Sequence, residues 1–128
     1  PMLLEQAAAD VAGEIIELPL SDTTLPWQLD WAPLLPRLQD AGLPSGRRAA
    51  DFHVSLAAAI GGIARRAHAQ YDFRHVGLTG GVFQNRRLTE ESQRLLQDAG
   101  FEVLLCRQLP CNDAGISAGQ IYEHLASV

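Results

Sequence analysis

His75-Val76-Gly77-Leu78-Thr79-Gly80-Gly81-Val82-Phe83-Gln84-Asn85-Arg86 is the stretch on which the fold of this chain turns. A short apolar run ends in two adjacent glycines, and a polar segment then opens a helical pattern. That order spells a strand, a tight turn and a helix N-terminus. In α/β proteins such a junction is where phosphates and nucleotides are commonly held, because unpaired amides at a helix start point toward the ligand.

Downstream, the segment Arg86 to Ala99 is helical in pattern, with Leu88, Leu95, Leu96 and Ala99 inward. Asn85 is placed to cap its start, and Gly100 stands at the position just past its end. Phe101-Glu102-Val103-Leu104-Leu105-Cys106 reads as a second core strand. Two strands joined by a crossover helix of this length are expected to be parallel. Leu109-Pro110-Cys111-Asn112-Asp113 forms a turn, and Ala114 to about Ala126 a final helix that offers Ile116, Ile121 and Leu125 to the core. Gly115 and Gly119, four apart, thin one face of it.

Upstream, the longest periodic segment runs from Arg47 to Gln70, with an apolar stripe of Phe52, Leu56, Ala59, Ile60, Ile63, Ala64 and Ala67. Gly61-Gly62 in its interior costs about 1 kcal/mol per residue relative to alanine, so close approach of another element is expected there. Before it, residues 3–12 favour a short helix stopped by Gly13, and residues 14–18, bounded by Gly13 and Pro19, suggest a strand. Leu20 to Pro26 is a polar connection, and residues 27–31 alternate at period two as a half-buried strand. Residues 32–41 are helical in spacing with Gly42 as the stop, although Pro36 marks either the true start or an irregularity. The whole is an α/β chain of 128 residues, read as a single domain.

Bulk properties narrow the function. The net charge of −5 and pI near 5.2 argue against a protein that holds nucleic acid by neutralising phosphates, although backbone amides can still hold one nucleotide. No apolar run reaches the roughly 18–20 residues of a membrane span, and no signal-peptide pattern is present. Cys106 and Cys111 are read as reduced thiols of a cytoplasmic protein. The chain opens Pro1-Met2, and the expectation is a piece of a longer polypeptide.

Gly80-Gly81 therefore admits two readings: a ligand-facing turn, or a tight turn that only needs positive φ. Asn85 is likewise a nucleotide contact or a helix cap. Asn112-Asp113 follows a strand and opens a helix, and should lie at the same sheet edge as Gly80-Gly81. An ionised Asp113 there can ligate a metal, the usual companion of phosphates, or simply cap the helix. His53 on the long helix reads as a core or boundary residue. No second His or Cys stands at zinc spacing, and no Gly-x-Ser-x-Gly elbow is present.

Two of these segments together carry a resemblance. Leu78-Thr79-Gly80-Gly81-Val82-Phe83-Gln84-Asn85-Arg86 and Leu109-Pro110-Cys111-Asn112-Asp113-Ala114-Gly115-Ile116-Ser117-Ala118-Gly119-Gln120 resemble the end of the hydrogenase maturation carbamoyltransferases of the HypF type. Ala50-Asp51-Phe52-His53-Val54-Ser55-Leu56-Ala57 is similar to the Phe-His helix of the same proteins. Three motifs in the right order and spacing are specific, and the resemblance spans essentially the whole chain.

That resemblance implies a cytoplasmic multidomain enzyme that makes a carbamoyl adenylate from carbamoyl phosphate and ATP. The carbamoyl group then passes to the C-terminal cysteine of a HypE-type maturation protein. The fold implied is the C-terminal lobe of an actin/Hsp70/sugar-kinase-like domain, a mixed sheet with packed helices. In such domains a Gly-Gly-Val turn contacts the nucleotide, which implicates Gly80, Gly81 and Val82, with Asn85 close by. The matching aspartate, Asp113, is expected to ligate a divalent metal, zinc or iron, alongside histidines from elsewhere in the polypeptide. Cys111 and Ala114 depart from the usual Pro and Gly of that turn. No catalytic residue is assigned, and the chain alone is expected to be inactive, with the rest of its own polypeptide as its first partner. The tRNA threonylcarbamoyl-adenosine synthesis proteins share the fold, and a non-catalytic interaction module remains an alternative.

Overall fold

The extended segment from Gly13 to Pro19 is fastened to the longest helix by side chains instead of by a neighbouring strand. The structure is a computed structural model that describes residues 2–21 and 26–127. In it, the amides of Glu14 and Ile16 donate to Asp51 Oδ1 at 2.7 Å and Ser55 Oγ at 2.9 Å. Two residues of extended chain advance about 6.6 Å and one helical turn of four residues about 6 Å, so the two ladders stay in step. The expected strand over 14–18 is thus corrected: the backbone is extended, but its amides go to that helix and no strand pairs with it among the described residues.

Helices α1 (Met2–Ala8), α2 (Leu34–Gln39) and α3 (Ser45–Tyr71) precede strand β3 (His75–Leu78), and α4 (Arg86–Asp98), β4 (Glu102–Leu105) and α5 (Ile116–Ala126) follow it. Two short strands, β1 (Leu20–Ser21) and β2 (Gln28–Leu29), pair antiparallel. The expected connection over 20–26 is partly this strand and partly residues 22–25, outside the described residues. Pro36 sits in the first turn of α2, where its missing N–H removes no helical bond. α1 ends early, where Asp10 adopts φ 58°.

β3 and β4 pair in parallel, with Val76 opposite Val103 and Leu78 opposite Leu105. α4 joins them, as its leucines require. Ala64, Leu78, Leu96 and Phe101 form the main buried cluster, with Ile60, Phe73, Val76, Phe83, Val103 and Leu105 around it. Alternate strand residues point inward, so a single face of this small sheet is covered. Leu104, on the other face, is exposed. A second cluster, Ala8, Ala49 and Ala50, lets α1 lie close on α3. Gly46 is required there, since a Cβ would stand 2.7 Å from the Ala7 carbonyl oxygen.

α3 is buried on more sides than one stripe. Ala49, Ala50, Val54, Ala57 and Ala64 are buried, and so are the polar Asp51, His53 and Ser55. Small and polar residues take this place because α1, α2, α4 and the 13–19 segment all contact the helix. The expected close approach at Gly61-Gly62 is not found among the described residues: of these, a Cβ at Gly62 would meet none within 4 Å, and one at Gly61 only an arginine tip at 3.5 Å. The core role expected for the last helix is also corrected. Ile116, Ile121 and Leu125 are 58%, 62% and 67% exposed. Periodicity made α5 amphipathic, but no described element covers its apolar side.

Candidate functional site

At the carboxyl end of β3 the chain reverses through Gly80, whose φ of 100° and ψ of 155° are open to glycine and strained for other residues. Its N–H donates to the Cys111 carbonyl at 2.6 Å. One tight backbone bond therefore ties the Gly-Gly turn to the turn that follows β4. A Cβ on Gly81 would lie 3.9 Å from the Asn112 Cβ, so the two loops are also in van der Waals range. The sequence expectation that Gly80-Gly81 and Asn112-Asp113 share one sheet edge is met.

Gly81–Gln84 form a short 3₁₀ turn, closed by Phe83 N–H to Gly80 C=O at 3.0 Å and Asn85 N–H to Val82 C=O at 3.1 Å. Phe83 faces the core, whereas Val82 is 58% exposed at the outer side of the turn. The bare Gly81 and the outward Val82 leave the backbone approachable.

Asn85 caps α4: its Oδ1 accepts the Leu88 N–H at 2.9 Å. Its Nδ2 lies 2.8 Å from Nε2 of His53, a residue 1% exposed. The other ring nitrogen, Nδ1, lies 2.7 Å from the Ala49 carbonyl. A carbonyl only accepts, so Nδ1 carries the hydrogen and Nε2 is a bare acceptor for the Asn85 amide. The chain of bonds fixes both the tautomer and the orientation of Asn85. His53 is the core residue that its position suggested, but no local pattern pointed to its partner. Thr89 Oγ1 adds bonds to the Phe83 and Asn85 carbonyls, both at 2.9 Å.

In the second loop, Asn112 Oδ1 accepts from Ala114 N–H at 3.1 Å and takes the cap role that sequence had divided between Asn112 and Asp113. Gly115 fits tightly, since a Cβ would stand 2.7 Å from the Pro110 carbonyl oxygen. Asp113 is exposed at the start of the short 3₁₀ turn that leads into α5. A carboxylate so placed suits one ligand of a divalent metal. Among the described residues no group of three or more His, Cys, Asp or Glu is arranged to hold such an ion. Cys106 and Cys111 are free thiols, with Cys106 Sγ 3.8 Å from Thr79 Oγ1.

A hollow of about 710 Å³ lies between residues 15–20 and the Ala58–Ile63 face of α3, and no residue of either turn lines it. Among the described residues, no helix is long and apolar enough to cross a membrane.

Comparison with known proteins supports the family and the fold. A family model described as carbamoyltransferase, Kae1-like domain, second subdomain, matches residues 1–120. Carbamoyltransferase HypF of Rhodobacter capsulatus is 39% identical over 119 residues, which cover 93% of this chain and 15% of that protein. Carbamoyltransferase HypF of Rhizobium leguminosarum bv. viciae is 42% identical over 93 residues, 72% of this chain and 12% of that protein. A crystal structure of full-length HypF in the phosphate- and nucleotide-bound form superposes with a TM-score of 0.82 at 31% identity, over 93% of this chain and 16% of that one. The T. kodakarensis HypF structure, at 22% identity and a TM-score of 0.77, shares the fold. The chain spans about 15% of the length of such relatives.

Proposed function

The chain belongs to the HypF carbamoyltransferase family, as its Kae1-like second subdomain, and on that footing we propose that it forms one wall of a nucleotide cleft. The whole cytoplasmic enzyme, in this reading, converts carbamoyl phosphate and ATP to carbamoyl adenylate. It then transfers the carbamoyl group to the C-terminal cysteine of a HypE-type partner. Gly80, Gly81 and Val82 face the nucleotide, with Asn85 beside them, and Asp113 is one ligand of a divalent metal, zinc or iron. When bound, that metal supplies positive charge against the phosphates.

The observation that carries the reading is the 2.6 Å bond from Gly80 N–H to Cys111 C=O. It joins the two motifs into one edge, where a side-chain-free turn allows phosphate oxygens to reach the backbone and an exposed carboxylate follows Asn112 directly. The uncovered face of the β3–β4 sheet and the apolar side of α5 support a second part of the reading, that the remainder of the same polypeptide closes the cleft. Parallel sheets are normally covered on both faces. The isolated chain, having one wall and one metal donor, turns over no carbamoyl phosphate.

The test is calorimetric titration of ATP into the intact polypeptide and its Gly81→Val and Asp113→Ala variants, with metal content measured in parallel. Gly81→Val is expected to weaken ATP binding, and Asp113→Ala to lower bound metal. Unchanged values in both would reject the site.

A further inference from the structure

We infer that His53 is a positioning residue for the Gly80–Val82 turn, acting through Asn85; this rests on the nucleotide reading of that turn. The link is a chain of three hydrogen bonds. The Ala49 carbonyl on α3 accepts from His53 Nδ1 at 2.7 Å, and His53 Nε2 accepts from Asn85 Nδ2 at 2.8 Å. The Asn85 N–H then closes the turn on the Val82 carbonyl at 3.1 Å.

Asn85 is thus a pivot between a long, well-packed helix and the glycine turn. Its Oδ1 is committed to the Leu88 N–H at 2.9 Å, and its own carbonyl accepts from Thr89 N–H at 3.0 Å and Thr89 Oγ1 at 2.9 Å. The remaining freedom of its side chain is rotation, and that is what the buried His53 removes. Gly80 and Gly81, lacking side chains, have little packing of their own to fix them: a Cβ at Gly80 would meet nothing within 4 Å. The glycine turn is therefore fixed by Phe83, which packs on the core, and by its two ends, Gly80 held by Cys111 and Asn85 held by His53. A ligand that reads backbone amides needs them preset to within about 0.5 Å, and the second of these ties comes from α3, 32 residues away in sequence.

A mere stability role for His53 would predict that any loss of folding free energy leaves ATP affinity alone once the protein is folded. A positioning role predicts that the acceptor matters. ATP is titrated into the intact polypeptide carrying His53→Phe, His53→Gln, Asn85→Ser or the His53→Phe/Asn85→Ser pair, well below each unfolding midpoint. His53→Phe keeps the ring volume without an acceptor and is expected to weaken ATP binding about tenfold, the scale of one buried hydrogen bond. His53→Gln restores an acceptor oxygen and is expected to return most of the affinity. Asn85→Ser keeps a cap oxygen for Leu88 but has no amide to give His53, and should lose affinity by a similar factor. The pair should lose no more than either change alone, because both break the same link.

If His53→Phe or, should that variant not fold, Asn85→Ser binds ATP as tightly as the parent while Gly81→Val does not, the positioning role is overturned and the nucleotide reading survives. Full additivity in the pair would also overturn it. If Gly81→Val too binds ATP unchanged, the nucleotide reading fails and takes this inference with it.

Discussion

His53 Nε2 accepts the Asn85 amide at 2.8 Å across 32 residues of sequence. The contact ties the N-terminal half of α3 to Asn85, the residue that ends the Gly81–Gln84 turn and caps α4. Two motifs that are separate in the sequence are one device in the fold. The polar pair is buried at little cost because each hydrogen-bonding atom facing inward has a partner.

Asn85 therefore does two jobs that substitution can separate. Asn85→Ala removes the cap of α4, worth about 1 kcal/mol. It also strands the buried His53 acceptor, which costs roughly another 1–2 kcal/mol. Asn85→Ser keeps an oxygen for the Leu88 amide, so it should lose about half as much. Urea unfolding of the three proteins measures this; a Ser variant as stable as the parent would show that His53 gains nothing from Asn85, and equal losses for Ala and Ser that the cap contributes nothing.

The adjacent glycines should behave differently from each other. Gly80 has φ 100°, and an alanine there is strained by about 1–3 kcal/mol. Gly81 has ordinary φ, and a Cβ would make only a 3.9 Å contact with Asn112 Cβ. Gly81→Ala should leave stability within about 0.5 kcal/mol of the parent. Loss of ATP affinity in that variant then reports on the ligand's approach, not on folding. A Gly81→Ala protein with a much lower unfolding midpoint would show that the turn is tighter than described.

The β3–turn–α4–β4 unit was legible because its signals are local: a glycine pair, a cap, a leucine period and a stop glycine at Gly100. What escaped was set by distance. Residues 14–18 carry strand composition, yet their amides are answered by Asp51 and Ser55 of a helix, which no local pattern encodes. The stripe read along α3 followed apolar residues only, so it missed the buried faces built from Ala49, Ala50, Asp51 and His53. In α5 the periodicity was read correctly, but amphipathy predicts a partner without saying where it is. At the site, both turns and their shared edge were foreseen, whereas the His53–Asn85 link was not.

Asp51 should give the fold an acid-sensitive step. Burial alone pushes its carboxyl up, but the Glu14 amide and the Arg37 and Arg47 guanidiniums outweigh this and hold it below its ordinary value. The folded value thus lies below the unfolded one, about 3.9. Its stabilisation is complete above the unfolded value and is lost as pH falls through the folded value. The arginine side chains are 28% and 38% exposed, so Asp51→Asn should cost about 2 kcal/mol at neutral pH, less than the roughly 3–5 of a fully buried pair. The variant should also show a shallower decline of stability below about pH 4. Parallel acid titrations of parent and variant by circular dichroism decide it; identical slopes would remove Asp51 from the account.

Gly13 and Gly62 should respond to alanine in opposite directions. At Gly13 a Cβ would stand 2.6 Å from the Ala50 carbonyl oxygen and 2.8 Å from Val54 Cγ2. Most of that clash is with helix backbone, which cannot move aside, and relief would pull Glu14 from its 2.7 Å bond to Asp51. Gly13→Ala should therefore destabilise by about 2–3 kcal/mol. Gly62 lies inside α3 with no atom of the described residues within 4 Å of its would-be Cβ. Gly62→Ala removes only the helix penalty of glycine and should stabilise this chain by about 0.8–1 kcal/mol. Thermal unfolding of this chain and of the intact polypeptide reads both. Stabilisation in the chain but destabilisation in the intact polypeptide would mean that another surface lies against the bare helix at Gly62, giving the close approach that the glycine pair led us to expect.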